Sequence, residues 1–246
     1  MATQLKRFTL RRAQLWLVLA MGVASARPAL AGDPAAGCAQ GTDPAETVTD
    51  CSTLIDSGQL KPADAAAAFD NRGNAYLAKG EDGKALQDFE AAMKLVPGFT
   101  KAQLDRGIAY GRQGNYDRAI ADYDAVLKAD PSDVGALGAR GWAYNYKHQF
   151  DRAIDDFNAA IEIKDDDAIG YNGRGWAYLL IGELKQAVDD FNHALAIAPD
   201  GADALYGRGL AKDRLGDATG AAADYGAARA LAPDIEALLR RKQLIM

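Results

Sequence analysis

Apolar and small residues recur in this chain at helical spacing, inside stretches that repeat every 34 residues. The step is plainest at five Arg-Gly pairs: Arg72-Gly73, Arg106-Gly107, Arg140-Gly141, Arg174-Gly175 and Arg208-Gly209. Three residues beyond the glycine stands Tyr76, Tyr110, Tyr144 or Tyr178, with Lys212 breaking the series. Twelve beyond it comes an alanine, Ala85, Ala119, Ala153, Ala187 or Ala221. Sixteen beyond it comes an aromatic, Phe89, Tyr123, Phe157, Phe191 or Tyr225, each preceded by an aspartate, Asp88, Asp122, Asp156, Asp190 or Asp224. Pro97, Pro131, Pro199 and Pro233 close four stretches, and Asp165 takes that place in the third. Gly80, Gly114, Gly182 and Gly216, or His148 in the third stretch, interrupt the pattern midway, and the proline loop ends it. The spacing predicts antiparallel helix pairs. One pair cannot cover its own apolar face, so the pairs must stack, and the class is all-α.

The small positions follow from that packing. Gly73, Ala85 and their counterparts fall where two helices cross and must let the backbones approach, with Tyr76 and Phe89 filling the space beside them. A leucine at Ala153 is expected to overpack the contact. The five arginines fall on the packed side of the first helix, where a charge needs a partner. The aspartates before the second-helix aromatics recur with them, so an Arg–Asp ladder is expected, within or between neighbouring units. The alternative, a basic rail for phosphates, is disfavoured because carboxylates travel with it in equal number.

Both ends carry covers. Asp43, Pro44 and Glu46 form a capping-box start to a helix that stops at Ser57-Gly58, with Val48, Cys51 and Ile55 on one face. At the other end Ile235, Leu238 and Leu239 form an apolar stripe beside Arg240, Arg241 and Lys242, as in a solvated capping helix, with a basic docking spot for an acidic partner as the alternative.

The first 31 residues read differently. Lys6, Arg7, Arg11 and Arg12 precede an apolar run from Ala13 to Ala26, followed by Ala29-Leu30-Ala31, so residues 1–31 are expected to be a cleaved export signal. Arg11-Arg12 raises the twin-arginine route, but the residues after the pair do not support it. The mature chain is then expected in the periplasm or secreted, with no stable membrane insertion. Cys38 and Cys51, the only cysteines, would join in that oxidising compartment. A lipid-anchoring role for Cys38 and a redox-active pair both fit the spacing poorly.

Charge narrows the function. The chain has 34 acidic and 28 basic residues, and losing residues 1–31 takes the formal charge from −6 to −11. No clustered positive surface for nucleic acid is implied. His148 and His193, the only histidines, lack a second ligand at metal spacing. Asp165-Asp166-Asp167 lacks the rest of a calcium loop, and Asp167 reads as an N-cap. No phosphate loop or catalytic triad emerges, so no cofactor, metal or enzymatic activity is expected.

The recurring small, tyrosine, alanine, aromatic and proline positions resemble the tetratricopeptide repeat, in a form where arginine replaces the large apolar residue before the small one, as in bacterial members. The resemblance implies a right-handed superhelical solenoid of five tandem helix-turn-helix repeats with N- and C-terminal capping helices. Its boundaries are a lead with a capping helix at 32–65, units at 66–99, 100–133, 134–167, 168–201 and 202–235, and a capping helix at 236–246. It also implies a protein or peptide partner on the inner face of the first helices. That stripe comprises Asp70, Asn74, Leu77 and Ala78; Lys101, Leu104, Ile108 and Arg112; Gly135, Gly138, Trp142, Asn145 and Tyr146; Ile169, Asn172, Trp176, Leu179 and Leu180; and Asp203, Tyr206, Leu210, Asp213 and Arg214. The set with which some members clamp a C-terminal carboxylate is absent, its places holding Asp70, Asp105 and Gly135. Trp142 and Trp176 are expected as aromatic anchors, Asn145 and Asn172 as donors to a peptide backbone, and Tyr146, Leu180, Tyr206, Leu104 and Ile108 as the rest of a binding groove. The opposing reading has both tryptophans packed inside the superhelix. Two functions remain: a non-enzymatic periplasmic scaffold or adaptor, monomeric or weakly dimeric, and a carrier of a small ligand such as a glycan or cell-wall fragment.

Overall fold

The computed structural model describes residues 33–241, 244 and 245; the expected export signal lies outside them. Among the described residues there are thirteen α-helices and no strand. They are α1 (Pro34–Gln40), α2 (Pro44–Asp56), α3 (Pro62–Ala78), α4 (Asp82–Leu95), α5 (Thr100–Arg112), α6 (Tyr116–Ala129), α7 (Val134–Tyr146), α8 (Phe150–Ile163), α9 (Ala168–Ile181), α10 (Leu184–Ile197), α11 (Ala202–Arg214), α12 (Ala218–Leu231) and α13 (Ile235–Arg241). From α1 to α12 each helix packs on the next, as in a solenoid. The first helices of successive pairs, α3, α5, α7, α9 and α11, also touch one another and so form one continuous layer.

The expected breaks fall in place. Gly80, Gly114, Gly182 and Gly216 take φ between 75° and 90°, and His148 takes 55° at the equivalent point of the third pair. Only glycine adopts that conformation without a Cβ clash, so the histidine carries a modest backbone cost. Asp133 and Asp167 cap α7 and α9 by accepting from the backbone N–H of Ala136 and Gly170, which explains Asp167 as an N-cap.

In the third and fourth units the aromatic of the second helix is the wedge that joins two units. Phe157 is wholly buried between two glycines: a Cβ on Gly141 would lie 2.8 Å from its ring, and one on Gly173 of the next unit 2.2 Å. Phe191 stands in the same relation to Gly175 and Gly207. Ala85, Ala119, Ala153 and Ala187 are fully covered and Ala221 almost so, as their small size requires.

The Arg–Asp ladder exists and lies within units. Nε and Nη2 of Arg72, Arg106, Arg140, Arg174 and Arg208 grip the two oxygens of Asp88, Asp122, Asp156, Asp190 and Asp224 at 2.6–2.9 Å. Nη1 reaches the preceding second helix, at Ser52 for Arg72, Asp124 for Arg140, Asn158 for Arg174 and Asn192 for Arg208. Each arginine thus ties one unit internally, and Arg72, Arg140, Arg174 and Arg208 also tie it to the second helix before it. In the first four units its guanidinium also lies about 6 Å from the motif tyrosine, Tyr76, Tyr110, Tyr144 or Tyr178. Lys212, in place of the fifth tyrosine, instead binds Asp224 at 2.9 Å.

The N-terminal cover is more than a single helix. Pro44–Asp56 repeats α4 at an offset of 38 residues: its N-cap Asp43 stands for Glu81, buried Thr47 for Ala85 and buried Cys51 for Phe89. The four extra residues form an added first turn of α3, which begins at Pro62 where the later first helices would begin at residue 66. α1 is the shortened first helix of that pair. The expected Cys38–Cys51 disulfide joins the two, its sulfurs occupying the place that an aromatic ring fills in every later pair. At the other end α13 packs on α11, with Ile235 and Leu239 buried. The helix ends at Arg241, and the Leu244 N–H donates to the Leu239 carbonyl at 3.1 Å.

Candidate inner-face site

The layer of first helices is knitted together by pairs 31 residues apart. Lys101 binds Asp70 of the preceding unit and Asp105 on its own helix, and Asn74 donates to Asp105 at 2.8 Å. Asn172 donates to Asp203 at 2.8 Å. Burial pushes the Asp70 carboxyl up to about 6, with the Lys101 ammonium pulling the other way and the Asp105 charge adding to the rise. Burial lowers the Lys101 ammonium, but Asp70 and Asp105 together leave it above its ordinary value.

The expected site residues divide into three sets. Trp176 is wholly buried, edge-on to Phe191 at 5.8 Å and surrounded by Leu179, Leu205 and Tyr206. Its place as an exposed anchor is therefore corrected: it is core. Trp142 holds the same edge-on geometry against Phe157 at 6.0 Å but is only half-buried, beside Tyr146, which stacks on Tyr116 at 5.2 Å. Asn145 is buried and donates to the Gly173 carbonyl at 2.9 Å, and Asn172 serves Asp203, so both expected peptide donors are engaged within the stack. Leu104 is half-buried beside Val126 and Leu137, whereas Ile108 is exposed.

Leu180 and Tyr206 do come together. With Leu179, Leu210, Arg214 and His148 they line an open cavity of about 570 Å³ on the layer of first helices. The remaining walls are Arg240, which the sequence placed in the basic patch of the capping helix, and Leu244 and Ile245, which sequence reasoning missed. The available signal was the apolar pair Leu244-Ile245 lying beyond the basic run of the last helix. Arg214 donates to the Leu179 carbonyl at 3.2 Å, and Tyr206 packs tilted on Tyr225 at 4.9 Å. His193 stacks on Tyr171 and His148 lies edge-on to Phe150. Among the described residues no cluster suits a metal ion, and no helix is long and apolar enough to cross a membrane.

A family model described as tetratricopeptide repeat matches residues 104–168 and 139–202. Residues 104–202 of the chain therefore carry tetratricopeptide repeats. Solved structures share the fold of this repeat protein at low identity. A tetratricopeptide repeat protein from Parabacteroides merdae is 18% identical, with 85% of this chain and 86% of that one covered and a TM-score of 0.66. TTC0263, a thermophilic TPR protein of Thermus thermophilus, is 22% identical over 74% of this chain and all of its own, with a TM-score of 0.62. YrrB, described as a TPR protein with an unusual peptide-binding site, is 21% identical over 78% of this chain and 97% of its own, with a TM-score of 0.54. No curated protein sequence matches the chain.

Proposed function

We propose that this repeat protein is a non-enzymatic adaptor of the periplasm that binds a segment of a partner protein on its layer of first helices. The supporting observation is the cavity at the fourth and fifth units, where Leu180, Tyr206 and Leu210 offer apolar surface beside Arg214. Trp142, Tyr146 and exposed Ile108 extend the surface toward the second and third units. Tetratricopeptide repeats are generally non-catalytic, and a structure of similar fold is described as having a peptide-binding site. The Cys38–Cys51 disulfide supports an oxidising compartment, in keeping with the export signal read at residues 1–31.

Affinity capture from periplasmic extract tests the reading, with the native chain set beside Ile108→Glu, Trp142→Ala and Leu180→Glu variants shown by circular dichroism to be folded. Specific capture by the native chain, lost in at least two variants, is the expected result. Identical capture by all four forms would place binding elsewhere. A second reading, a small ligand such as a glycan fragment, draws on the cavity volume of about 570 Å³, within the range of small-molecule sites. Under that reading Leu180→Glu abolishes binding, and Ile108→Glu and Trp142→Ala leave it intact.

A further inference from the structure

Where successive first helices meet, pairs of positions 31 residues apart face each other, and the four junctions differ in chemistry. The second and third are apolar: a Cβ on Gly135 would lie 3.7 Å from Leu104, and one on Gly138 would lie 3.8 Å from Ile169. The first and fourth are polar. At the first, the Lys101 ammonium sits on the Asp70 carboxylate. At the fourth, the same two positions hold Asn172 and Asp203, so a carboxylate is present and no ammonium accompanies it. Among the described residues no cation pairs with Asp203: Arg174 serves Asp190, Arg208 and Lys212 serve Asp224, and Arg214 donates to the Leu179 carbonyl.

Beside this pair lies a cleft of about 240 Å³ between α9, the end of α10 and the start of α11. That volume falls below the range of sites for whole small molecules and suits one long side chain. Most of the wall is short and apolar, made by Ala168, Ala194, Ala198 and Ala204 together with Ile169, which is 61% exposed. The polar part is Asp203, held by the Asn172 amide at 2.8 Å and the Ala204 N–H at 3.0 Å. Asn172 Oδ1 is buried and has no hydrogen-bond partner, so the pair carries acceptor capacity that the chain leaves unused. The last carbonyls of α10 add partial negative charge, while Asp203 offsets the positive end of α11. No basic residue lines the cleft. The surrounding edge is acidic and apolar as well: exposed Asp165 and Asp200 lie in the loops leading into α9 and α11, and exposed Ile163 and Ile197 end α8 and α10.

We propose that this cleft takes the side chain of a lysine from a partner segment, its methylene stem along the alanines and its ammonium on Asp203, as Lys101 is placed on Asp70 within the chain. Aliphatic neighbours of that lysine rest on Ile169 and Ile197. The cleft shares no residue with the cavity at Leu180 and Tyr206, and the inference goes beyond the adaptor reading, standing whether or not that cavity binds.

The probe is a fluorescein-labelled nonapeptide with a central Leu-Lys-Leu between glycines and serines, set beside a counterpart with norleucine for lysine, which keeps the stem and loses the charge. Fluorescence anisotropy reads binding to the native chain and to Asp203→Asn, Ala198→Leu and Leu180→Glu, each checked for folding by thermal melting. The native chain is expected to bind the lysine peptide about tenfold more tightly than the norleucine one. Asp203→Asn should bind both peptides equally, at the norleucine level. Ala198→Leu, which fills the cleft, should lose both, and Leu180→Glu should bind as the native chain does. If Asp203→Asn fails to fold, the two peptides on the native chain and the Ala198→Leu variant decide the matter. Equal affinity of the native chain for the two peptides, undiminished discrimination by Asp203→Asn, or no binding of the lysine peptide by the native chain overturns the proposal. Binding lost in Leu180→Glu and kept in Ala198→Leu would put the peptide in the other cavity and overturn it too.

Discussion

At the scale of residues, the chain differs from an apolar stack in the two charges it places inside each unit. An arginine gripped at two points by a carboxylate satisfies both partners, but removing one leaves the other charge stranded. Arg174→Leu should therefore destabilise by about 3 kcal/mol, because Asp190 is left nearly buried without its guanidinium. The double variant Arg174→Leu/Asp190→Leu should recover most of that loss, and chemical unfolding of the set measures the difference. A double variant as unstable as the single one would mean that the pair contributes more than mutual satisfaction. Asp70 makes a separate, pH-linked prediction. Its pKa, raised to about 6 chiefly by burial, means that the folded chain holds a proton that the unfolded chain has released between about pH 4 and pH 6. The stability this proton confers is fully present below the unfolded pKa and is lost as pH rises through 6. Relative to the native chain, Asp70→Asn should thus gain stability between pH 4 and pH 7, as read by urea unfolding at the two pH values. A difference that stays constant with pH would place the carboxyl in its ordinary range.

At the scale of elements, the cost of a methyl group separates glycines that the sequence alone treats alike. Gly173→Ala drives a Cβ into the Phe157 ring and should cost about 1–3 kcal/mol, whereas Gly83→Ala, in α4 with open space around it, should stabilise by about 0.4–1 kcal/mol. Thermal melts of the two variants decide it, and shifts of the same sign would refute the wedge geometry. The helices and their breaks were legible because each depends on local chemistry repeated along the units: a glycine at positive φ in four, a small residue at a crossing in all five, a proline loop in four. The ladder was legible because a packed charge demands a partner and the aspartates kept step with the arginines. Trp176 was misassigned because its position on the first helix is open in a single unit and closes only in the stack, where it joins one core with Leu205 and Tyr206 of the fifth unit. The N-terminal pair was hidden by an extra turn in α3, which shifts the step from 34 to 38 residues and puts a cysteine where the pattern has an aromatic. If the disulfide takes over that ring's role, replacing both cysteines by alanine should cost about 2–3 kcal/mol and free α1 and α2 first. Proteolysis confined to residues before α3 is the expected sign, and cleavage spread along the whole chain would contradict it.

At the scale of the whole molecule, stacked units share stability only with their neighbours, so local strength should follow the continuity of the apolar core. That continuity is uneven. One cluster runs without interruption from Trp176 and Leu179 through Phe191 and Leu205 to Ile235, Leu239 and Leu244. The middle of the stack is held by two smaller clusters, around Val126 and Leu137 and around Tyr123 and Ala143. Native-state amide exchange should accordingly be slowest in α9, α10 and α11 and faster in α5 to α7. Phe191→Ala would test the same idea by injury, since it empties the wedge between the fourth and fifth units at a cost of about 3–5 kcal/mol. In a nearest-neighbour stack the loss appears as faster exchange in α9 to α13, while α3 and α4, several interfaces away, keep their protection. Acceleration of equal size from α3 to α13 would mean that the repeats unfold as one cooperative body, and binding at the proposed partner site of the fourth and fifth units would then be felt at the opposite end of the molecule.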